Sequence, residues 1–241
     1  MEEVVKKLKP KTSHGFDNIS AEILKLGGKA LIGPLTWIIN TSITEGTFPE
    51  DWKVAKVIPL HKRDDKTKAK NYRPVSLLCV SGMVCERVIA IQIEDFFEEN
   101  TLFGDFQFGF RRNKSTTSEL LTLFDNLMEA KEDKKEVALV LYDLSAAFDT
   151  VDPKILLEKM KLYGFNKKTM NWISSFLTGR SQAVKIKEAV SELISMEIGT
   201  PQGSRLSPLL FVILMADLDL WTKESKLSNF ADDTQSIRGR P

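Results

Sequence analysis

The stretch Glu136-Val137-Ala138-Leu139-Val140-Leu141-Tyr142-Asp143-Leu144 sets an apolar run against one carboxylate near its far end. The run reads as a strand covered on both faces and ending in Asp143. Further along, Leu227–Ala231 and Thr234–Ile237 flank Asp232-Asp233, a pattern that predicts a β-hairpin with both aspartates at its turn. A lone carboxylate buried at a strand end costs several kcal/mol of desolvation, and a metal ion removes that cost. Mg²⁺ takes a few carboxylates and completes its octahedron with water and phosphate oxygens. Two such ions about 4 Å apart serve in-line phosphoryl transfer. The same residues admit a plainer account, because Asp-Asp is ordinary turn chemistry and a strand-end aspartate often caps the next helix.

Outward from this pair, the spacing of apolar residues predicts helices over Ser20–Ile43, with a break at Gly27-Gly28, and over Ser81–Glu99, with Val84, Val88, Ile91 and Phe96 on one side. Ser115–Lys131 is a third helix, capped by Ser115, with Glu119 in the first turn facing the positive end of the helix dipole. Helices near Pro153–Tyr163 and Lys167–Leu177 precede a hairpin of Gln182–Lys187 and Leu193–Ile198. Ser207–Trp221 is strongly apolar and opens with a cap serine followed by proline. Lys53–Leu60 alternates like a half-buried strand, and His61–Asn71, with four lysines and one arginine, reads as a mobile basic loop.

Composition is that of a folded globular chain, 42% hydrophobic and 28% charged over 241 residues, which excludes a disordered or collagenous protein. Residues 1–73 hold 14 Lys/Arg against 9 Asp/Glu, although the whole chain carries a net charge of only +1. A basic front and an acidic back suit a phosphate-gripping part joined to a metal-binding part. The two cysteines, Cys79 and Cys85, sit in an apolar stretch and read as buried thiols. His14 and His61 have no metal-ligand spacing with them, so a zinc site is not expected. No apolar run approaches the roughly 18 residues needed to span a bilayer, and the expectation is a soluble intracellular protein.

Five boxes, in order, now carry a resemblance. Leu141-Tyr142-Asp143-Leu144-Ser145-Ala146-Ala147-Phe148-Asp149-Thr150-Val151-Asp152 resembles the first palm motif of reverse transcriptases of non-LTR (LINE-type) retrotransposons. Gly199-Thr200-Pro201-Gln202-Gly203-Ser204-Arg205-Leu206-Ser207-Pro208 is similar to the second, and Phe230-Ala231-Asp232-Asp233 to the third. Upstream, Asn71-Tyr72-Arg73-Pro74-Val75-Ser76-Leu77-Leu78 and Gln107-Phe108-Gly109-Phe110-Arg111-Arg112-Asn113-Lys114-Ser115-Thr116 resemble the fingers motifs.

The resemblance implies an α+β right-hand polymerase, mainly fingers over 1–135 and palm over 136–241, with an antiparallel palm sheet packed on helices. The palm would be cut shortly after the aspartate box and the thumb absent. It implies an RNA-directed DNA polymerase working on an RNA template, a DNA primer and deoxynucleoside triphosphates. Two Mg²⁺ ions, with Mn²⁺ as a substitute, would be held by Asp143, Asp232, Asp233 and the Leu144 backbone. Asp149 and Asp152 do not inherit that role and are expected to cap or solvate the helix entered at Pro153. Lys62 and Arg73 would hold the triphosphate, with Arg73 suited by its planar donors. The amides of Ala146 and Ala147 would approach it. Phe148 would be the steric gate against a 2′-hydroxyl, with a core aromatic as the alternative. Gln202 and Gly203 would pack near the sugar and template base, and Arg111, Arg112 and Lys114 would contact nucleic-acid backbone. An inactive fragment or a domesticated nucleic-acid-binding remnant stays open as the competing function.

Overall fold

The computed structural model of the chain describes residues 1–144, 146–222 and 225–240, so that Ser145 of the first palm motif lies outside the described residues. In chain order the elements are α1 (Glu2–Lys6), α2 (Ala21–Glu45), β1 (Val54–His61), β2 (Tyr72–Leu77), α3 (Val80–Glu99), α4 (Thr116–Glu132) and β3 (Glu136–Tyr142). They continue with α5 (Pro153–Leu162), α6 (Lys167–Leu177), β4 (Arg180–Ile186), β5 (Ala189–Val190), β6 (Ile194–Met196), α7 (Ser207–Met215), β7 (Lys226–Phe230) and β8 (Asp233–Arg240). The class is mixed α+β, as expected. The elements form two compact units, residues 1–91 with 148–207, and residues 92–147 with 208–241, each drawing on both sides of residue 135.

The first unit is built on a sheet of order β2-β1-β4-β5, with β6 also paired to β4. β1 runs antiparallel to β2, from Lys56↔Leu77 to His61↔Tyr72, and parallel to β4, from Val54↔Ser181 to Val57↔Val184. The sequence reading did not anticipate β2, because Pro74 sits in its middle. Proline lacks the amide that a central strand needs, and β2 is an edge strand that tolerates it. The basic loop joining the two strands is closed by its own hydrogen bonds, from Lys62 N to Asn71 O (2.9 Å) and from the Asn71 side-chain amide to Asp65 O (2.8 Å).

Local chemistry sets the helix ends of this unit. Ser20 Oγ accepts from Ile23 N at 3.2 Å to start α2, and Gly46, with φ 68°, stops it in the left-handed conformation. The expected break falls at Gly28, whose φ of 46° and ψ of −132° interrupt the helix. Asp152 caps α5 through Lys154 N at 2.7 Å, ahead of Pro153, and Asn166 caps α6 through Thr169 N at 3.0 Å.

Phe48 is the centre of packing here. Its ring meets Trp52, Trp172 and Phe176 edge-on at centroid distances of 5.7, 5.5 and 5.2 Å, and Trp172 Nε1 donates to Ser42 Oγ at 2.8 Å. Cys79 and Cys85 are both buried and free, as expected, and burial pushes their thiols up to about 11 and about 12. The inward face of α3 is Val84, Cys85, Ile89, Ile93 and Phe97; Val88, Ile91 and Phe96 are only half-buried. The expected face is therefore rotated by about one residue, because Cys85 packs as an apolar group.

In the second unit β3, β8 and β7 form an antiparallel sheet in that order. Ser115 and Ser118 close a reciprocal capping box at the start of α4, and Glu119 lies in the first turn, as expected, with its side chain buried. Leu210, Val212 and Ile213 of α7 are wholly buried, and the helix stops at Met215, short of the Trp221 end expected from sequence. A separate 3₁₀ turn covers Leu218–Trp221 and leaves Trp221 exposed. β3 departs from expectation as well. Leu139, Val140 and Leu141 are exposed rather than covered on both faces, and among the described residues β3 pairs only with β8, at the edge of its sheet.

The aromatic cluster predicts the largest single-residue effect in the first unit. Phe48→Ala should destabilise the chain by about 3–5 kcal/mol in urea unfolding. A loss below about 1 kcal/mol would show that the cluster collapses around the missing ring.

Candidate active site

Among the described residues strand register brings the backbone positions of the three aspartates near one another. β3 and β8 pair from Glu136↔Arg240 to Tyr142↔Thr234, so one further step along this antiparallel ladder sets Asp143 opposite Asp233. β7 and β8 pair up to Phe230↔Asp233, which leaves Ala231 and Asp232 as the two turn residues. The hairpin is as expected, with one refinement: Asp232 is in the turn and Asp233 opens the strand. Asp143 and Asp233 are exposed and Asp232 is half-exposed.

Ala231 holds the turn with φ 62°, a conformation that costs a non-glycine residue roughly 1 kcal/mol or more. Gln107 supports it. Its buried Oε1 accepts from Ala231 N at 3.2 Å and from Gly109 N at 2.9 Å. The backbone of the same segment is laced to β7 by Phe108 N to Asn229 O (2.8 Å) and Asn229 N to Phe106 O (2.7 Å). A Cβ on Gly109 would lie 2.3 Å from Ala231 N, so glycine is needed for this approach. Glu119, from α4, accepts from Ser228 Oγ and Gln235 Nε2 at 3.3 Å each, beneath the same hairpin. Burial raises its pKa; the Ser228 bond opposes that shift and the charge of Asp233 adds to it.

The oxygen-only donor set at adjoining register positions fits a hard divalent cation. The side chains are not drawn together: among the described residues no three His, Cys, Asp or Glu side chains are placed to share an ion. The other expected residues of this unit divide clearly. Ala146 has φ 56°, Ala147 is buried, and Leu144 is exposed just after Asp143. Arg111 makes a two-point contact with Glu98 (3.1 and 2.7 Å), donates to Gly104 O and lies over Phe103. Arg112 pairs with Asp95 and Glu94, and Lys114 Nζ sits 4.8 Å from the Phe108 ring centre.

In the first unit the Pro201-Gln202-Gly203 turn is tied down on two sides. Thr200 N donates to Phe148 O and Gly199 N to Val151 O, each at 2.8 Å, and Gln202 Nε2 donates to Asp149 at 3.1 Å. Asp152 caps α5 as expected, but Asp149 does not, because its carboxylate is taken by Gln202. On the other side Glu86, wholly buried on α3, accepts from Ser204 Oγ at 2.6 Å and Arg205 N at 2.7 Å. Ser204 Oγ in turn accepts from Leu206 N and Ser207 N, so Ser204 caps α7, and the expected cap residue Ser207 donates to Pro201 O instead. Gly203, at φ 82°, is exposed. A cavity of about 160 Å³ beside the turn is lined in part by Ser76, Asp149, Arg180, Gln182, Thr200 and Gln202. Lys62 and Arg73 are both exposed, and neither has an ion-pair partner among the described residues.

With this geometry in hand, residues 60–237 match the family described as reverse transcriptase (RNA-dependent DNA polymerase). The chain belongs to that family. It is 32% identical over 239 residues to the probable RNA-directed DNA polymerase from transposon BS of Drosophila melanogaster, and 30% identical to the polymerase from mobile element jockey of the same fly. Each match covers 96% of this chain and 26% of the relative, so the chain spans about a quarter of the curated relatives' length. Among solved structures, apo telomerase from Candida tropicalis, truncated from its C-terminal domain, shares the fold at a TM-score of 0.57 and 15% identity, over 87% of this chain and 49% of that one. The two fly relatives are named for a transposon and a mobile element, in keeping with the retrotransposon family that the sequence motifs resemble.

The supporting contacts of Gln107, Glu86 and Glu119 have no counterpart among the sequence expectations. Nothing local marks Glu86 out, because Arg87 adjoins it on α3 and is exposed where Glu86 is buried. Burial raises its carboxyl pKa, against the Ser204 and Arg205 hydrogen bonds and the nearby Arg180 charge. An acid whose folded pKa is raised stabilises the fold fully below its unfolded pKa and loses that contribution as pH climbs through the raised value. The stability of the parent relative to Glu86→Gln should therefore decline as pH rises above the ordinary glutamate range, measured by urea unfolding across pH. A gap that stays flat or widens with pH would show that burial does not govern this carboxyl.

Proposed function

We propose that this reverse transcriptase chain adds deoxynucleotides to a DNA primer on an RNA template, with Asp143 and Asp232 as primary metal ligands and Asp233 and the Leu144 backbone in support. The observation that carries this reading is the β3–β8 register, which places Asp143 one step from the Asp232-Asp233 turn. Bound Mg²⁺, or Mn²⁺ in its place, would neutralise charge at the reacting phosphate and lower the pKa of the primer hydroxyl. The protein's own work is to position. Gln107 and Glu119 hold the hairpin that presents the aspartates, and Glu86 and Phe148 hold the turn that presents Gln202 and Gly203.

Within this reading residues 1–135 serve mainly as fingers and 136–241 as palm. Arg73 and Lys62, exposed and without an ion-pair partner among the described residues, hold the triphosphate, and the amides of Ala146 and Ala147 approach it. Phe148 excludes a 2′-hydroxyl. Lys114 and Arg112 contact nucleic-acid backbone. Arg111 contributes by fixing the segment that carries them, since its guanidinium is held by Glu98 and Gly104.

Primer extension on an RNA template with Mg²⁺ tests the proposal. The parent should incorporate deoxynucleotides. Asp143→Asn and Asp232→Asn should each remove several kcal/mol of transition-state stabilisation, on the order of 10³-fold in rate. Extension by either variant at the parent's rate, or none by the parent, would sink it.

A further inference from the structure

Within the first unit a second concentration of charge lies at residues none of the five boxes assigns as ligands. A groove of about 420 Å³ is lined by Lys7, Lys9, Arg87 and Arg205, with Glu3 the acidic residue among the described residues of its lining and Glu86 buried behind Arg205. These cations come from three distant parts of the chain: the segment after α1, the middle of α3, and the residue just past the Gln202-Gly203 turn. All four are exposed and none has an ion-pair partner among the described residues, whereas Lys6, Lys53, Arg111 and Arg112 each have a carboxylate partner.

The groove is built, not incidental to a loose terminus. Val5 of α1 is buried, and Lys25 Nζ donates to Leu8 O at 2.6 Å, which pins the segment carrying Lys7 and Lys9 to α2. Arg205 is fixed from behind by the bond from its amide to Glu86. Met83, Ile91 and Val4 supply apolar lining between the charges. Four like charges held around one concavity repel one another, and an anion relieves that cost. A volume in the range of ordinary ligand sites is too large for a single phosphate and suits an extended polyanion with apolar parts.

We propose that this groove binds the phosphodiester backbone of a nucleic-acid strand through Lys7, Lys9, Arg87 and Arg205, at a site composed of other residues than the aspartate box. The choice of nucleic acid over an acidic peptide rests on the polymerase reading above. The site itself does not.

Fluorescence anisotropy of the full chain with labelled single-stranded RNA and with DNA of the same sequence, over a salt series, tests it without any catalytic step. Removing all four charges together (Lys7→Ala, Lys9→Ala, Arg87→Ala, Arg205→Ala) should weaken binding on the order of ten-fold or more and flatten the log–log salt slope, which for single strands is roughly −0.7 per neutralised phosphate. A comparison variant removing Lys66, Lys68 and Lys70 from the basic loop should lose clearly less, and unchanged thermal melting should show both variants folded. RNA against DNA affinity then identifies the strand. Equal binding by the parent and the groove variant, equal losses in the two variants, or displacement of RNA by polyglutamate at matched charge would overturn the proposal. Loss of RNA binding in the groove variant beside an inactive parent would leave the groove standing and the polymerase reading fallen.

Discussion

The pairing of β3 with β8 is the constraint on which the chemistry of this chain depends. Side chains alternate faces along a strand, so a slip of one residue would reverse the face of every side chain and part Asp143 from Asp233. The register is fixed by seven residue pairs, from Glu136↔Arg240 to Tyr142↔Thr234, and by a two-residue turn that leaves no slack between β7 and β8. That turn is not comfortable by itself, since Ala231 sits where glycine is preferred. It is held from outside by Gln107, whose carboxamide oxygen takes the Ala231 amide, and by the close approach of Gly109.

The two units use the same device. In each, a buried carboxylate on a helix receives hydrogen bonds from the segment that carries the functional residues: Glu119 from Ser228 and Gln235, Glu86 from Ser204 and Arg205. Keeping a carboxyl out of water is expensive, and both groups show it in raised pKa values. In return the bonds have direction. An apolar contact would hold the same segments near the helix without specifying which backbone amide faces it.

Much of this was legible because it is local. Caps at Ser115 and Asp152, the Gly28 break and the aspartate hairpin are each written in a few adjacent residues, and the structure has them where those residues stand. What was not legible depends on partners distant in sequence. Whether Asp149 caps a helix or receives Gln202 is decided 53 residues away. Ser204 rather than Ser207 caps α7 because Glu86 orients its hydroxyl from a helix that precedes it by more than a hundred residues. The apolar run of β3 misled in another way. It reports that side chains prefer to avoid water, and it cannot report which neighbours cover them.

That edge has a consequence for how the protein behaves in solution. β3 offers one side of its backbone unpaired, and its large apolar side chains Leu139 and Leu141 are exposed above it. An open edge of this kind is a template for another strand. In solution, a further strand laid along that edge would lengthen the sheet without disturbing the β3–β8 pairs beside it.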